Sequence, residues 1–352
     1  MALSKIDVAN MVENQMPQAN VADNVKFRNI IINGDMSIAQ RGTSFSGLTA
    51  SQYTIDRHRF GITTAGTWTI SQSTDVPTGQ GFSKSMKWDC TTADASLAAS
   101  DNLLYQTRLE GQNLQYLKKG TSSAESTTLS FWVKSNKTGT YTAEIYDQDN
   151  TRQISKTYTI SSADTWEKKT ITFAGDTTGT LDNDSARSLD LILWLGAGSN
   201  FTSGTLNTSW NSITTANRVS SSQVNLADST SNEWYITGIQ LEAGTTASDF
   251  EFLPTDVNRE RCLRYFIDLL YIGASGYATG ANQTARARTT IVYPVHMRAS
   301  PTRNVTNNSG SNVHSDSAFA SSANEMGGLY TRKSAASGGL YWSADLELDA
   351  EL

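Results

Sequence analysis

The apolar positions of this chain alternate with polar ones over short runs, which is the period of a β-strand lying on a core. In TLSFWVKS, Leu129, Phe131 and Val133 fall on one face. In LDLILWLGAG, Leu189, Leu191, Leu193 and Leu195 do the same, while Ile192 and Trp194 make the opposite face partly apolar too. The run EWYITGIQLEAGTTASDFEF places Tyr235, Thr237, Ile239 and Leu241 on one side and then unwinds into Phe250 and Phe252, which are expected to staple the tail of this strand to the body. TYTAEIYDQDNTRQISKTYTI reads as a hairpin with its tip at Asp147 to Asn150. Strands that recur between Gly, Asn, Asp, Ser and Thr clusters with no helical pattern between them predict an all-β chain, an antiparallel jelly-roll-like sandwich over residues 27–256.

One stretch departs from that period. After Pro254, residues 257–271 place Leu263, Phe266, Ile267 and Leu270 at i, i+3, i+4 and i+7, which predicts a connecting helix with a single apolar stripe. Either the base of the sandwich or the same helix in other copies of the chain would cover it. Residues 272–352 then read as a second, small β-domain. RARTTIVYPVHMRASP alternates as a strand, with Arg286, Arg288 and Arg298 sharing a face and Pro294 implying an edge or a bulge. GLYWSADLELDAEL alternates most cleanly of all, and its apolar face, which includes Leu346 and Leu348, needs cover from its own domain or from a neighbouring subunit. Residues 1–26 read as a polar arm with Leu3, Ile6, Met11 and Val12 as its apolar anchors.

Composition narrows the class. Ser and Thr make up roughly a quarter of the chain and charged residues 18%, below the ~25% usual in soluble domains. A net charge of -6 argues against a nucleic-acid surface. No run of 18 apolar residues suggests membrane insertion, and the first residues lack the apolar segment of a signal peptide. Cys90 and Cys262 do not make a disulfide framework and read as free thiols.

Chemistry is sparse. Asp147, Asp149 and Asn150 could offer oxygens to a structural calcium, although tight-turn geometry explains the same residues, and no other cofactor is expected. Trp166 and Trp210, flanked by polar residues, are the candidate stacking platforms for a sugar ring. His58, His296 and His314 belong to no catalytic motif, and Glu110, Glu144, Glu242 and Glu251 have ordinary hydrogen-bonded roles open to them, so a non-enzyme is expected. Arg57 and Arg59 around His58 read as a solvated charged face or as a contact for a subunit or an acidic polymer.

Three segments taken in order, RNIIINGDMSIAQRGTSF with YTIDRHRF, then LSFWVKSNKTGTY with TWEKKTITFAGDTTGT, then WYITGIQLEAGTTASDFEFLPTDVNRERCLRYF, resemble a module of tail-fibre and other appendage proteins of tailed, particularly marine, bacteriophages. The arm MALSKIDVANM is similar to the N-termini of such proteins, and YPVHMRASPT extends the likeness weakly into the C-terminal unit. The resemblance implies a sandwich like those of carbohydrate-binding modules, displayed on the virion as a homotrimer. Leu263, Phe266, Ile267, Leu270, Leu346 and Leu348 would then supply subunit contacts, and the arm would dock on other virion proteins. It also implies a short tail fibre that holds a host-surface glycan, with a head fibre or capsid decoration protein and a polysaccharide-cleaving tailspike as alternatives. Modules of that type open on an Asn-Gly-Asp strand with an acidic calcium ligand, and Ser37 stands in its place here.

Overall fold

The computed structural model describes residues 27–279, 286–312, 320–333 and 335–352. The arm anchors Leu3, Ile6, Met11 and Val12, together with His314, lie outside them.

Among the described residues thirteen strands precede the helix Thr255–Leu263: β1 (Ser44–Leu48), β2 (Gln52–Tyr53), β3 (Arg59–Thr63), β4 (Thr67–Ser73), β5 (Ser85–Thr92), β6 (Asn102–Glu110), β7 (Thr127–Ser135), β8 (Gly139–Asp147), β9 (Arg152–Ile160), β10 (Glu167–Phe173), β11 (Arg187–Ala197), β12 (Asn211–Ser212) and β13 (Glu233–Ala243). They pair antiparallel into a six-stranded sheet, β1-β4-β5-β13-β7-β10, and a seven-stranded sheet, β12-β9-β8-β11-β6-β3-β2. The expected all-β, jelly-roll-like sandwich is therefore the architecture. Its core lies between the sheets, where Leu129, Phe131 and Val133 meet Leu189, Leu191, Leu193 and Leu195 around a cluster of Trp68, Trp88, Trp234 and Tyr105. Burying side chains of this size is worth ~1.5–3 kcal/mol each, which makes this layer the main source of stability.

The phase of β13 differs from the even alternation read in the sequence. Trp234 and Ile236 face the core, then the pairing with β7 slips between Thr237 and Gln240, and Ile239 and Leu241 face the core instead. Gly238 sits at the slip with φ 62°, a left-handed conformation that costs other residues about 1–2 kcal/mol. Tyr235 consequently belongs to the outer face. Beyond β13, Phe250 and Phe252 pack on each other and on Phe82 with ring centres 4.8–5.1 Å apart, so the strand's tail is stapled to the loop before β5 as its aromatics suggested.

The connecting helix is shorter than the pattern suggested. It ends at Leu263, and Phe266–Ala278 is a strand, β14, rather than the second half of a helix. Phe-Ile-Asp-Leu-Leu-Tyr-Ile is rich in aromatic and β-branched residues, and pairing with the C-terminal strand satisfies its backbone. Ile267 lies opposite Leu348. The register slips between Leu269 and Ile272, and this bulge turns Leu270 out to 71% exposure.

The second unit adds β15 (Arg286–Val292), β16 (Thr302–Ser311), β17 (Ala320–Asn324), β18 (Gly327–Lys333) and β19 (Gly338–Asp349), in two three-stranded sheets, β14-β19-β16 and β15-β18-β17. Leu346 and Leu348 are fully buried in its own core with Leu263, Ile267 and Trp342, and Phe266 is buried as well. Of the six residues expected to meet other subunits, five are thus covered within the chain, and only Leu270 is exposed. Edge strand β15 stops two residues before Pro294, which cannot continue a ladder. Arg298 is accordingly not on the strand face with Arg286 and Arg288. It donates to the carbonyls of Ser185, Ala350 and Glu351.

Charged groups lock this unit to the sandwich. Glu351 is buried against the Arg57 and Arg41 guanidiniums. Arg57 stacks 3.5 Å over the Tyr265 ring, Arg41 3.7 Å over that of Phe266, and Arg264 forms a two-pronged pair with Glu110 at 2.7 and 2.9 Å. Arg57, read as part of a solvated face or of a subunit or polymer contact, is 1% exposed, and His58 beside it is 0% exposed. Sequence alone shows charges on the Asp-Arg-His-Arg turn, and only the fold brings the C-terminal carboxylates onto them.

Candidate functional site

The outer face of the seven-stranded sheet carries a row of side chains set by register. Arg59 lies opposite Gln106, Gln106 opposite Ile192, and Ile192 opposite Glu144. One step along, Asp190 lies between Arg108 and Tyr146. One step the other way, Gly61 lies beside Leu104, whose side chain occupies the space a Cβ at 61 would need, 2.3 Å away. The segment after β11 folds over one end of this face and buries Ile192 and Trp194 beneath Val219 and Phe201. This explains the apolar second face that LDLILWLGAG showed.

What remains open is a groove of about 270 Å³ lined by Arg59, Gln106, Arg108, Tyr146, Asp190 and Arg218, with Leu104 and Ile192 along its floor. Its polar groups are held in place. Asp190 is fully buried and accepts from Gln106 Nε2 at 2.8 Å and Arg187 Nε at 2.7 Å. Gln106 in turn accepts from Arg59 at 3.0 Å. Glu144, also fully buried, accepts from Arg218 Nε at 2.9 Å and from the Trp194 indole at 2.8 Å. Burial works against the charge on Arg218 and Arg187, but Glu144 and Asp190 override it and raise both guanidinium pKa values. A rigid set of guanidinium, amide and carboxylate groups around a short apolar floor, with a half-buried tyrosine at its side, can hydrogen-bond vicinal hydroxyls while a ring's apolar face lies on Tyr146.

Two larger clefts, of about 620 and 400 Å³, are both bordered by Phe27, where the described residues begin.

The residues singled out in the sequence lie elsewhere. Trp166 sits on the opposite sheet, half-buried, with its indole donating to Asp75 at 2.9 Å and its ring edge-on to Tyr235. Trp210 is a rim packing residue: it donates to the Ala174 carbonyl at 2.6 Å, and Lys119 lies 4.6 Å over its ring. Neither lines the groove. The hairpin tip forms where expected, and an ammonium lies against Asp147. Lys119 is buried between Asp147 and Asp176, 2.9 Å from the latter, and also donates to the Gly179 carbonyl at 3.0 Å. Asn150 donates to Asp147, and Asp149 accepts from the Asp182 N–H. At the Asn-Gly-Asp segment, which is a turn rather than a strand, Asn258 of the helix donates to both Asp35 and Ser37. Among the described residues no three His, Cys, Asp or Glu side chains cluster as a metal site.

Arg59 and Glu144 stood out singly in the sequence, but the groove as a set did not, because each strand supplies only one to four of its residues. The signal was present as polar alternates, Asn102, Gln106 and Arg108 in β6 and Glu144 and Tyr146 in β8, but strand order decides that they meet.

No protein-family model matches the sequence, and no curated protein matches it. Several solved structures are similar to part of it. The enzymatically active domain of bacteriophage CBA120 tailspike protein 4 is 13% identical with a TM-score of 0.31, matching 61% of this chain and 21% of its own. A putative sugar-binding protein from Bacteroides thetaiotaomicron is 12% identical with a TM-score of 0.33, over 61% and 99%. A carbohydrate-binding module, TmCBM61, in complex with beta-1,4-galactotriose, is 11% identical with a TM-score of 0.30, over 61% and 99%. This chain thus spans about a fifth of the tailspike domain it matches. What the groove binds is decided by its own side chains.

Proposed function

We propose that this chain is a glycan-binding appendage of a tailed-phage virion, a short tail fibre that adheres to the host surface through the groove on its seven-stranded sheet. The observation that carries the proposal is the groove itself, where two buried carboxylates and their arginines hold donors and acceptors fixed around an apolar floor. Fixed donors reduce the ordering cost of binding a flexible sugar. Binding without cleavage is supported by the engagement of Glu144 and Asp190, each of which is tied to an arginine rather than free to move a proton.

Self-association as a homotrimer is supported by the second unit. Leu270, Tyr271, Tyr277 and Val292 are each 71–82% exposed there, apolar side chains that other copies of the chain would cover. Weak single sites displayed together would then add through effective concentration. The N-terminal residues would dock on other virion proteins, as the resemblance to phage appendages implies.

A glycan array probed with the purified chain tests the adhesive role, and light scattering tests the assembly. Saturable binding to bacterial surface polysaccharide and a mass three times that of the chain are expected. Absence of any glycan binding, or release of new reducing ends from a bound polysaccharide, contradicts the proposal, and a monomer contradicts the trimer.

A further inference from the structure

The groove's charges do not balance, although the chain as a whole is acidic. Four arginines reach this face, Arg59, Arg108, Arg187 and Arg218, against two carboxylates. Asp190 is taken by Arg187 and Glu144 by Arg218, each through two nitrogens. Arg59 forms no ion pair among the described residues. Arg59 donates only to the neutral amide oxygen of Gln106, whereas Arg108 is engaged by the main-chain oxygen of Leu352, with its buried Nε left over. The environment of Arg59 agrees: burial first, then the like charges of Arg108 and Arg187, lower its pKa. A guanidinium half-removed from water and facing two others is short of an anion.

We infer that the groove takes an acidic glycan, one whose carboxylate or sulfate group is received by Arg59 with Arg108 behind it. This rests on the proposed glycan-binding role of the groove and names the ligand's class. Arginine suits the task because its planar fork meets two oxygens of one anion, and charge-assisted bonds of this kind are roughly twice as strong as neutral ones. The net charge of -6 works in the same direction for selectivity, since the acidic surface as a whole repels a polyanion that this local cationic excess attracts.

The test is calorimetric titration of the full chain with three oligosaccharides: oligogalacturonate, a sulfated galactan oligosaccharide and its desulfated, neutral counterpart. At least one acidic arm is expected to bind tenfold or more tighter than the neutral one, weakening as salt is raised because the Debye length shortens. The carboxylate and sulfate arms identify which anion is the ligand. Arg59→Gln is expected to cut the ratio of acidic to neutral affinity at least fivefold and Arg59→Lys to restore part of it, with thermal melting confirming that both variants fold. Lys168→Gln, on the other sheet, is expected to leave the ratio alone. Equal affinity for acidic and neutral ligands, with binding still lost in Tyr146→Ala, overturns the acidic class while the groove stands. Binding that Tyr146→Ala does not change overturns the groove, and the inference with it.

Discussion

Arg218 and Glu144 meet on the outer sheet face through two hydrogen bonds, of 2.9 and 3.1 Å, and the Trp194 indole completes the carboxylate's shell from below at 2.8 Å. One fully buried acid thereby fixes both the groove's cation and the packing under it. Glu144→Ala would strand an arginine and an indole N–H. Removing one partner of a buried pair costs ~3–5 kcal/mol, and because Arg218 keeps some contact with water the lower end, about 3 kcal/mol, is expected. Urea unfolding measures it, and a loss under about 1 kcal/mol would show that the pair does not organise the face.

His58 gives the fold a pH dependence in a defined window. Its Nε2 lies 2.9 Å from the Asn33 carbonyl, which can only accept, so Nδ1 accepts from the Tyr105 hydroxyl at 2.7 Å and the ring is neutral. Burial lowers its pKa to about 4. Between its unfolded value of ~6.5 and about 4, the unfolded chain takes up a proton that the folded one refuses. Full stability from this group is therefore present above ~6.5 and falls by up to ~1.4 kcal/mol per pH unit as pH drops toward 4. Chemical denaturation across that range should show the slope in the native chain and a flatter one in His58→Gln.

Lys119 is buried between two carboxylates beside the hairpin. Burial alone would raise the Asp176 carboxyl, but Arg152 and Lys119 hold it below the ordinary range, so its contribution is present above ~3.9 and lost only in stronger acid. Lys119→Met should cost about 3 kcal/mol by leaving Asp147 uncompensated. Calcium should not move the melting temperature of the native chain, and a calcium-dependent rise would restore the metal reading of Asp147, Asp149 and Asn150.

The bulge in β13 depends on Gly238. A Cβ there would lie 2.5 Å from the Phe82 ring at φ 62°, so Gly238→Ala should cost about 2 kcal/mol or more and loosen the Phe82, Phe250 and Phe252 staple. Thermal melting checks the cost, and a melting temperature unchanged from the native chain would contradict it.

Period-two alternation gave away the sandwich strands because each has one wet and one dry face, as in Leu129, Phe131 and Val133. It misled at Gly238, where one extra residue reverses the phase, and at Phe266 to Leu270, where helical spacing and strand composition coincide over too few residues to separate them. The groove was illegible for a different reason. Arg59, Gln106, Asp190 and Glu144 come from four strands whose order, β3-β6-β11-β8, no local pattern encodes. The same holds for Glu351, whose partners Arg57 and Arg41 lie almost 300 or more residues away in the chain.

The most direct measurement of the central claim compares adsorption to host-surface glycan for Tyr146→Ala, Gln106→Ala and Trp166→Ala, each verified as folded. Loss of binding in the first two with native binding in the third is predicted. Native binding in both groove variants, or loss confined to Trp166→Ala, would contradict the assignment of the seven-stranded face as the adhesive surface.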